Sequence, residues 1–296
     1  MKIKYFKIIN FILIILIVVL IGCIDIFQSV NPKTLFVDIN GKFDFINIQD
    51  AINISSENDT IFVYNGVYYE NIIINKNLNL IGENKTNTII DANKTGDVIY
   101  ISDLSRVNIS GFTLRNSGIM GSPNMDSAID MRSNYNIIRD NIIKSNEYGI
   151  FQLSSHYNNI SNNQIYNNNE YGIYLLSNSN YNKITDNIFL LNSCSIRIKG
   201  SRYNELNRNI FQGNQKGIYF CCGAQQNIVY NNVFINNSLW HAQDTVGDNY
   251  WNYEEIGNYW DDYNLSEEKP YIITYKGQDN YPIANLLDIE WYNSFS

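Results

Sequence analysis

Five consecutive stretches of this chain, beginning at Ser127, Gly149, Gly172, Ser195 and Gly217, repeat one pattern: N-x-φ-x-x-N-x-φ-x-x-N, where φ is apolar. The first asparagines are Asn136, Asn158, Asn182, Asn204 and Asn227, spaced by 22, 24, 22 and 23 residues. The second set is Asn141, Asn163, Asn187, Asn209 and Asn232, and the third is Asn146, Asn168, Asn192, Asn214 and Asn237. A period of this length marks a solenoid, in which each repeat is a unit stacked on the next. Within the repeats apolar residues alternate, as in Ile173 with Leu175, Ile196 with Ile198 and Ile218 with Phe220, which is strand period with one face inward. The runs are short and broken by Asn, Ser and Gly, residues that tolerate left-handed corners. The repeat therefore predicts an all-β chain, a right-handed parallel β-helix with coils of about 23 residues stacked about 4.8 Å apart. Stacking lines up like residues in columns. An asparagine column suits a buried corner because each amide both donates and accepts.

The pattern weakens upstream. Ile109 and Leu114 occupy the two apolar positions, but Val107 and Phe112 stand where asparagines would be, and an insertion runs from Gly118 to Asp126. Further back, strand runs alternate with turns from Asn47 to Ala92, and Ile48 to Ile52 is placed to form a short helix over the first coil. Such a cover is expected, since an open end exposes core and strand edges. Residues 45–239 then make eight or nine coils, a rod of about 40 Å. Residues 23–44 form a linker and N-terminal approach, and residues 240–296 a capping segment whose tryptophans (Trp240, Trp251, Trp260, Trp291) plug the last coil.

Residues 1–22 read as an export signal or a membrane anchor: Lys2, Lys4 and Lys7 precede an apolar run from Ile8 to Ile24. Its length lies at the lower limit for a membrane span. Leu20-Ile21-Gly22-Cys23 resembles a lipobox, with the Cys23 thiol as the atom that receives lipid. The basic flank stays inside, which places the rest of the chain on the outer face of the cell membrane. Loss of residues 1–22 removes three lysines and no acid from a chain whose formal charge is already −8. An acidic body of this kind does not present a basic patch to nucleic acid or to an anionic membrane surface. Three cysteines remain, Cys194, Cys221 and Cys222, too few for a disulfide-built scaffold.

The N-terminal run DTIFVYNGVYYENIIINKNLNLIGE and the tail DNYWNYEEIGNYWDDYN followed by PYIITYKGQDNYPI resemble NosD-like β-helices, also described as carbohydrate-binding and sugar-hydrolysis repeats. With the asparagine coils, the resemblance covers nearly the whole exported chain. It implies a surface or extracytoplasmic protein and, through NosD itself, a link to copper. Relatives often carry a Gly- and Asp-rich run resembling a calcium loop before the Pro-Tyr pair; here only Leu265 to Lys269 stands there, so the resemblance does not bring calcium with it. For copper the soft candidates are Cys221 and Cys222. Adjacent strand residues point to opposite faces, so the plain reading is one buried and one exposed thiol, and the two histidines, His156 and His241, are far apart in the repeat alignment.

The residue between the inward apolar pair of the first strand faces out, and its column reads Asp130, Phe151, Tyr174, Arg197, Tyr219. Phe151, Tyr174, Arg197 and Tyr219 are expected to form an exposed strip that stacks on sugar rings and donates to their hydroxyls. Tyr135, Tyr157, Tyr181 and Tyr203 form a second aromatic column. Catalysis would need clustered carboxylates, whereas a second polar column, Asp140, Asn162, Asp186, Arg208, Asn231, alternates its acids with neutral residues. The sequence thus points to an anchored surface β-helix that binds carbohydrate or another surface polymer without turning it over. Its alternatives are a polysaccharide lyase or hydrolase, a copper accessory protein, and a purely structural envelope protein.

Overall fold

The structure, a computed structural model, describes residues 31–102, 106–118, 125–264 and 269–293. Residues 34–296 form one unit; the other, 1–33, lies almost wholly outside the described residues, and with it the expected signal and Cys23. The fold is the expected right-handed parallel β-helix. Each coil contributes one strand to each of three nine-stranded parallel sheets. Sheet A runs from Thr34–Val37 to Ile228–Tyr230, sheet B from Gly66–Tyr68 to Tyr259–Trp260, and sheet C from Ile72–Ile74 to Thr274–Tyr275. The first strand, Thr34–Val37, pairs in parallel with Asp59–Val63. The stack therefore starts at residue 34, inside the stretch expected as linker, because Leu35 and Val37 supply the alternation that the next coil pairs with.

The apolar positions stack as the repeat requires. In sheet A, Ile109, Ile138, Ile160, Ile184, Leu206 and Val229 are in register and fully buried. In sheet B the column changes from isoleucine to rings: Phe189, Phe211 and Phe234 stack with centroids 4.9 and 4.7 Å apart, and Trp260 and then Tyr271 continue the stack at 4.2 Å each. The C-terminal segment thus extends the core, with Trp251 and Trp260 each 1 % exposed. Trp291 instead lies on the flank, donating from its indole nitrogen to Asn231 Oδ1 at 3.0 Å. The opposite end is covered by the helix Ile48–Ile54, which buries Ile48, Ala51 and Ile52. Its first N–H groups, those of Ile48 and Gln49, donate to the Glu70 carboxylate at 2.8 and 2.9 Å, satisfying donors that a helix start leaves open.

Three asparagine ladders hold the corners. The backbone N–H and the side-chain Nδ2 of Asn163 both donate to Asn187 Oδ1 at 3.0 Å, and those of Asn187 do the same to Asn209 Oδ1 at 3.0 and 3.1 Å. In the second and third ladders each Nδ2 also donates to a carbonyl of the preceding coil, as Asn187 does to Ile160 at 2.8 Å. Each ladder asparagine follows a residue in the left-handed region: Tyr157, Asn162 and Asn167 in one coil, Tyr181, Asp186 and Leu191 in the next. For a residue such as leucine or tyrosine that geometry costs about 1–2 kcal/mol. The ladder offsets it, because the turned corner is what aims the asparagine N–H along the axis. Upstream, where Val107, Phe112 and Ser117 replace asparagine, their N–H groups still donate to Asn136, Asn141 and Asn146 Oδ1 at 2.9, 3.1 and 3.1 Å.

Two stability predictions follow from this core. Asn187→Ala removes five hydrogen bonds, four of them buried, and strands the Asn163 backbone N–H; a loss of about 3–5 kcal/mol is expected in urea unfolding. Gln152 has the opposite character. It sits fully buried in an inward column between Met131 and Leu175, and neither amide atom has a partner. Gln152→Met should raise the urea midpoint by an amount equivalent to about 1–3 kcal/mol, at unchanged slope.

Candidate functional site

Sheet C has the longest strands, six residues at Tyr148–Leu153, Tyr171–Leu176, Cys194–Lys199 and Lys216–Cys221, against three in the matching coils of the other sheets. Its outer face therefore carries three columns. The central one is in register as expected, and extends one coil further back: Tyr100, Asp130, Phe151, Tyr174, Arg197, Tyr219. Beside it run Tyr148, Tyr171, Cys194, Lys216 and Trp240 on one side and Leu153, Leu176, Lys199 and Cys221 on the other.

The central rings are not the open strip expected from the sequence. Phe151 and Tyr174 are only 2 % and 4 % exposed. The flanking residues fold over them: Tyr171 lies 5.1 Å from Tyr174, and the Arg132 guanidinium lies 5.4 Å from the Phe151 ring. Arg197 sits 5.4, 5.2 and 5.4 Å from the rings of Tyr171, Tyr174 and Tyr219, and its Nη1 donates to Tyr171 Oη at 2.6 Å. Burial pushes the Tyr174 hydroxyl up to about 12. The column is a cation-aromatic lattice whose inner ring faces are already used. Tyr219, Tyr171 and Arg197 keep partial exposure.

The second aromatic column is spent in the same way. Tyr135, Tyr157, Tyr181 and Tyr203 are about half exposed, at 51, 49, 45 and 45 %, but stack on one another at 5.1, 5.1 and 4.9 Å. Arg106 covers the Tyr135 ring at 4.9 Å. Their edges face solvent while their faces meet each other.

Among the described residues, a cleft beside the central column lies where the asparagine coils begin. Its volume is about 510 Å³, and it is lined by Asp97, Tyr100, Asp126, Asp130, Arg132 and Phe151, with Gly96, Met125, Leu153 and Leu176 completing the wall. Both Asp130 oxygens accept from Arg132, at 2.7 and 2.8 Å. Asp97 Oδ1 accepts from the Ser127 N–H at 2.7 Å and from its hydroxyl at 2.9 Å. Burial, added to by the charges of Asp130 and Asp126 and opposed by the Ser127 bonds, moves the Asp97 carboxyl up to about 6. The repeat alignment began at Ser127, with Asp130 at the head of the outward column, and so missed Asp97 and Tyr100. Asp97 meets Ser127 across a separation of 30 residues rather than the usual 22 to 24, because the insertion lengthens that coil. The alternation of Ile99-Tyr100-Ile101, matching Ile129-Asp130-Met131, was the available signal.

A second convergence of polar groups occurs in the C-terminal cap. His241, 6 % exposed, places Nε2 2.7 Å from Asp261 Oδ1 and 3.5 Å from Asp262 Oδ1. Among the described residues this is the one cluster of three His, Cys, Asp or Glu with converging ligand atoms. The two cysteines behave as expected of neighbours on opposite faces: Cys221 is buried against Arg197 Nη2 at 3.7 Å, and Cys222 is exposed.

The family model described as "Periplasmic copper-binding protein (NosD)" matches residues 52–265. The chain belongs to the NosD family. No curated protein sequence matches it. Among solved structures, this NosD-family chain superposes on an alginate lyase from Paenibacillus sp. str. FPU-7 with a TM-score of 0.59 at 13 % identity, over 86 % of this chain and 92 % of that one. It is also similar to the pectin methylesterase from Aspergillus niger, with a TM-score of 0.49 at 14 % identity over 70 % and 87 %. At such identity the first likeness establishes the shared fold. No helix among the described residues is long and apolar enough to cross a membrane.

The raised Asp97 carboxyl makes a pH prediction. In the unfolded chain the group titrates near its usual value of about 4, so the fold holds its proton more tightly. The stability this contributes is complete below about 4 and is lost as pH rises through about 6. Asp97→Asn should remove that loss: the difference in urea midpoint between about pH 5 and about pH 7 should be smaller in the variant than in the parent chain.

Proposed function

We propose that this chain is an extracytoplasmic β-helix, anchored to the outer face of the membrane through Cys23 or its N-terminal segment, that binds a polysaccharide or related surface polymer on the outer face of sheet C. The observation that carries this reading is the cleft at Asp97, Tyr100, Asp130 and Arg132, open at one end of a long flat face. A sugar residue in it would meet a tyrosine ring together with carboxylates and a guanidinium able to bond hydroxyls from both sides. Tyr171, Arg197, Tyr219, Lys216 and Trp240 continue the face along the axis, so a polymer lying across successive coils would gain contacts beyond the cleft. The strip residues enter as a supporting lattice: Phe151 and Tyr174 hold Arg132 and Arg197 in place, and Tyr219 and Arg197 remain reachable.

Binding without turnover is the primary reading, because both Asp130 oxygens are engaged by Arg132 and one Asp97 oxygen by Ser127. One observation favours a second reading, polymer cleavage: an acid titrating near 6 beside an arginine-paired carboxylate falls in the range suited to general acid-base work.

The test is affinity electrophoresis of the full chain against a panel of neutral, acidic and amino-sugar polysaccharides. Retention on at least one polymer, weakened about tenfold or more by Arg132→Ala or Tyr100→Ala and unchanged by Tyr203→Ser on the far corner, is expected for contacts in a desolvated site. Absence of retention on every polymer, or retention indifferent to both cleft variants, overturns the reading. Release of reducing ends or unsaturated products from the retained polymer, abolished by Asp97→Asn with binding kept, would select the cleavage reading over the binding one.

A further inference from the structure

The family description carries copper, and the cap holds the one converging donor cluster among the described residues, His241, Asp261 and Asp262. Whether that cluster fits a metal ion depends on which histidine nitrogen carries hydrogen. A metal-bound imidazole donates its other N–H to an acceptor. Here the third asparagine ladder decides the matter.

Asn237 is the last member of that ladder. Its Oδ1 accepts from the backbone N–H of Asn214 at 3.1 Å and from Asn214 Nδ2 at 3.1 Å. A backbone N–H is always a donor, so the atom it meets is the oxygen and the other end of the Asn237 amide is the NH₂ group. That NH₂ donates to the Phe211 carbonyl at 2.9 Å and lies 2.9 Å from His241 Nδ1. Nδ1 must therefore accept; hydrogen on it would set two donors against each other at 2.9 Å inside the core. The ring hydrogen then belongs to Nε2, which donates to Asp261 Oδ1 at 2.7 Å with Asp262 Oδ1 behind it at 3.5 Å. Asp261 Oδ2 accepts from the Asn236 N–H at 2.6 Å, and Asp262 Oδ2 accepts from the Tyr271 hydroxyl at 3.3 Å.

The other two ladders end in the same chemistry. Asn249, one coil beyond Asn227, donates from Nδ2 to Asp244 Oδ2 at 2.9 Å. Asn258, one coil beyond Asn232, donates from its N–H to Asp279 Oδ2 at 2.7 Å. All three ladders point their N–H groups toward the C-terminal end, and all three finish on a carboxylate, two directly and the third through an imidazole.

We infer that His241 with Asp261 is the terminator of the third amide ladder, a positioning device that hands the ladder's donor on to a carboxylate, and that this cluster does not hold copper or another divalent ion. The ladder's polarity withholds the Nε2 lone pair that a metal requires. The remaining soft donors do not replace it. Cys194 and Cys221 stand five register positions apart on neighbouring strands, since Cys194 pairs with Lys216 and Cys221 with Lys199. Cys194 is buried against the carbonyls of Ile196 and Gly217 at 3.6 and 3.7 Å, and burial moves its thiol up to about 12, away from the thiolate a metal binds. The two aspartates of the GNYWDDY motif thus acquire a structural assignment in place of a metal one.

The test uses the full chain, its His241→Gln and His241→Ala variants, and a Cys221→Ser with Cys222→Ser double variant. Glutamine offers an oxygen to Asn237 and an NH₂ to Asp261, so His241→Gln should keep the thermal midpoint close to that of the parent, whereas His241→Ala should lower it. Long-range ¹H–¹⁵N correlation on histidine-labelled protein should show His241 bearing hydrogen on Nε2 and none on Nδ1. Titration with Cu²⁺ and Zn²⁺, and with Cu⁺ against a chromophoric competitor, should give uptake that differs by less than about twofold between the parent and either His241→Gln or the cysteine variant. Hydrogen on Nδ1, stoichiometric uptake lost in His241→Gln, or Cu⁺ uptake lost in the cysteine variant overturns the inference. Equal uptake in all forms upholds it and places any bound metal outside these residues.

Discussion

A backbone that turns a corner every few residues leaves N–H and C=O groups that no strand ladder can reach, and in a rod of stacked coils those groups are buried. Each one left unpaired would cost about 1–3 kcal/mol. The asparagine columns solve this at every corner at once. One side-chain oxygen takes two donors from the coil before it, and one NH₂ serves the coil after it and a carbonyl behind it. The arrangement works only if all amides in a column point the same way, so each ladder has a direction. Hydrogen bonds chained in one direction polarise each other, and the whole stack inherits a donor-rich end.

That direction organises both termini. At the N-terminal side the ladders can begin on any residue with an N–H, which is why Val107, Phe112 and Ser117 can stand in for asparagine. At the C-terminal side they require acceptors, and Asp244, Asp279 and His241 with Asp261 provide them. The buried Asp279 carboxyl is raised by loss of solvent, yet it still collects the Asn258 N–H and the Trp260 indole N–H. The aromatic cap and the amide ladders are therefore one construction: Trp260 extends the phenylalanine stack while the acid beside it closes a ladder.

The same order confines where chemistry can occur. Within the five regular coils the ladder asparagines are committed to their neighbours above and below, and other corner side chains pair in the same way, as Asn162 does with Asp140 and Arg208 with Asp186 at 2.7 Å. The cleft opens at the boundary with the coils that lack the asparagine pattern. There the coil is longer, the columns lose their strict repetition, and unlike residues (Asp97, Tyr100, Asp130, Arg132) come together. A surface of identical repeats offers identical contacts; its irregular coil is where a distinct site can form.

The repeat by itself determined the fold, the period, the three ladders, and which residues face in or out along sheet C, because all of these follow from spacing within a coil and from the stacking of like on like. It also separated Cys221 from Cys222. Tertiary structure decided the rest. Phe151 and Tyr174 point outward as their positions require, but neighbouring columns lean over them, and that depends on side-chain packing between coils. The start at Thr34, the meeting of Asp97 with Ser127 and the approach of Asp261 to His241 all join coils of unequal length or cap residues outside the period. A periodic pattern specifies what repeats; the places where coil length changes or the stack ends are settled only when the chain closes on itself and each remaining donor finds its acceptor.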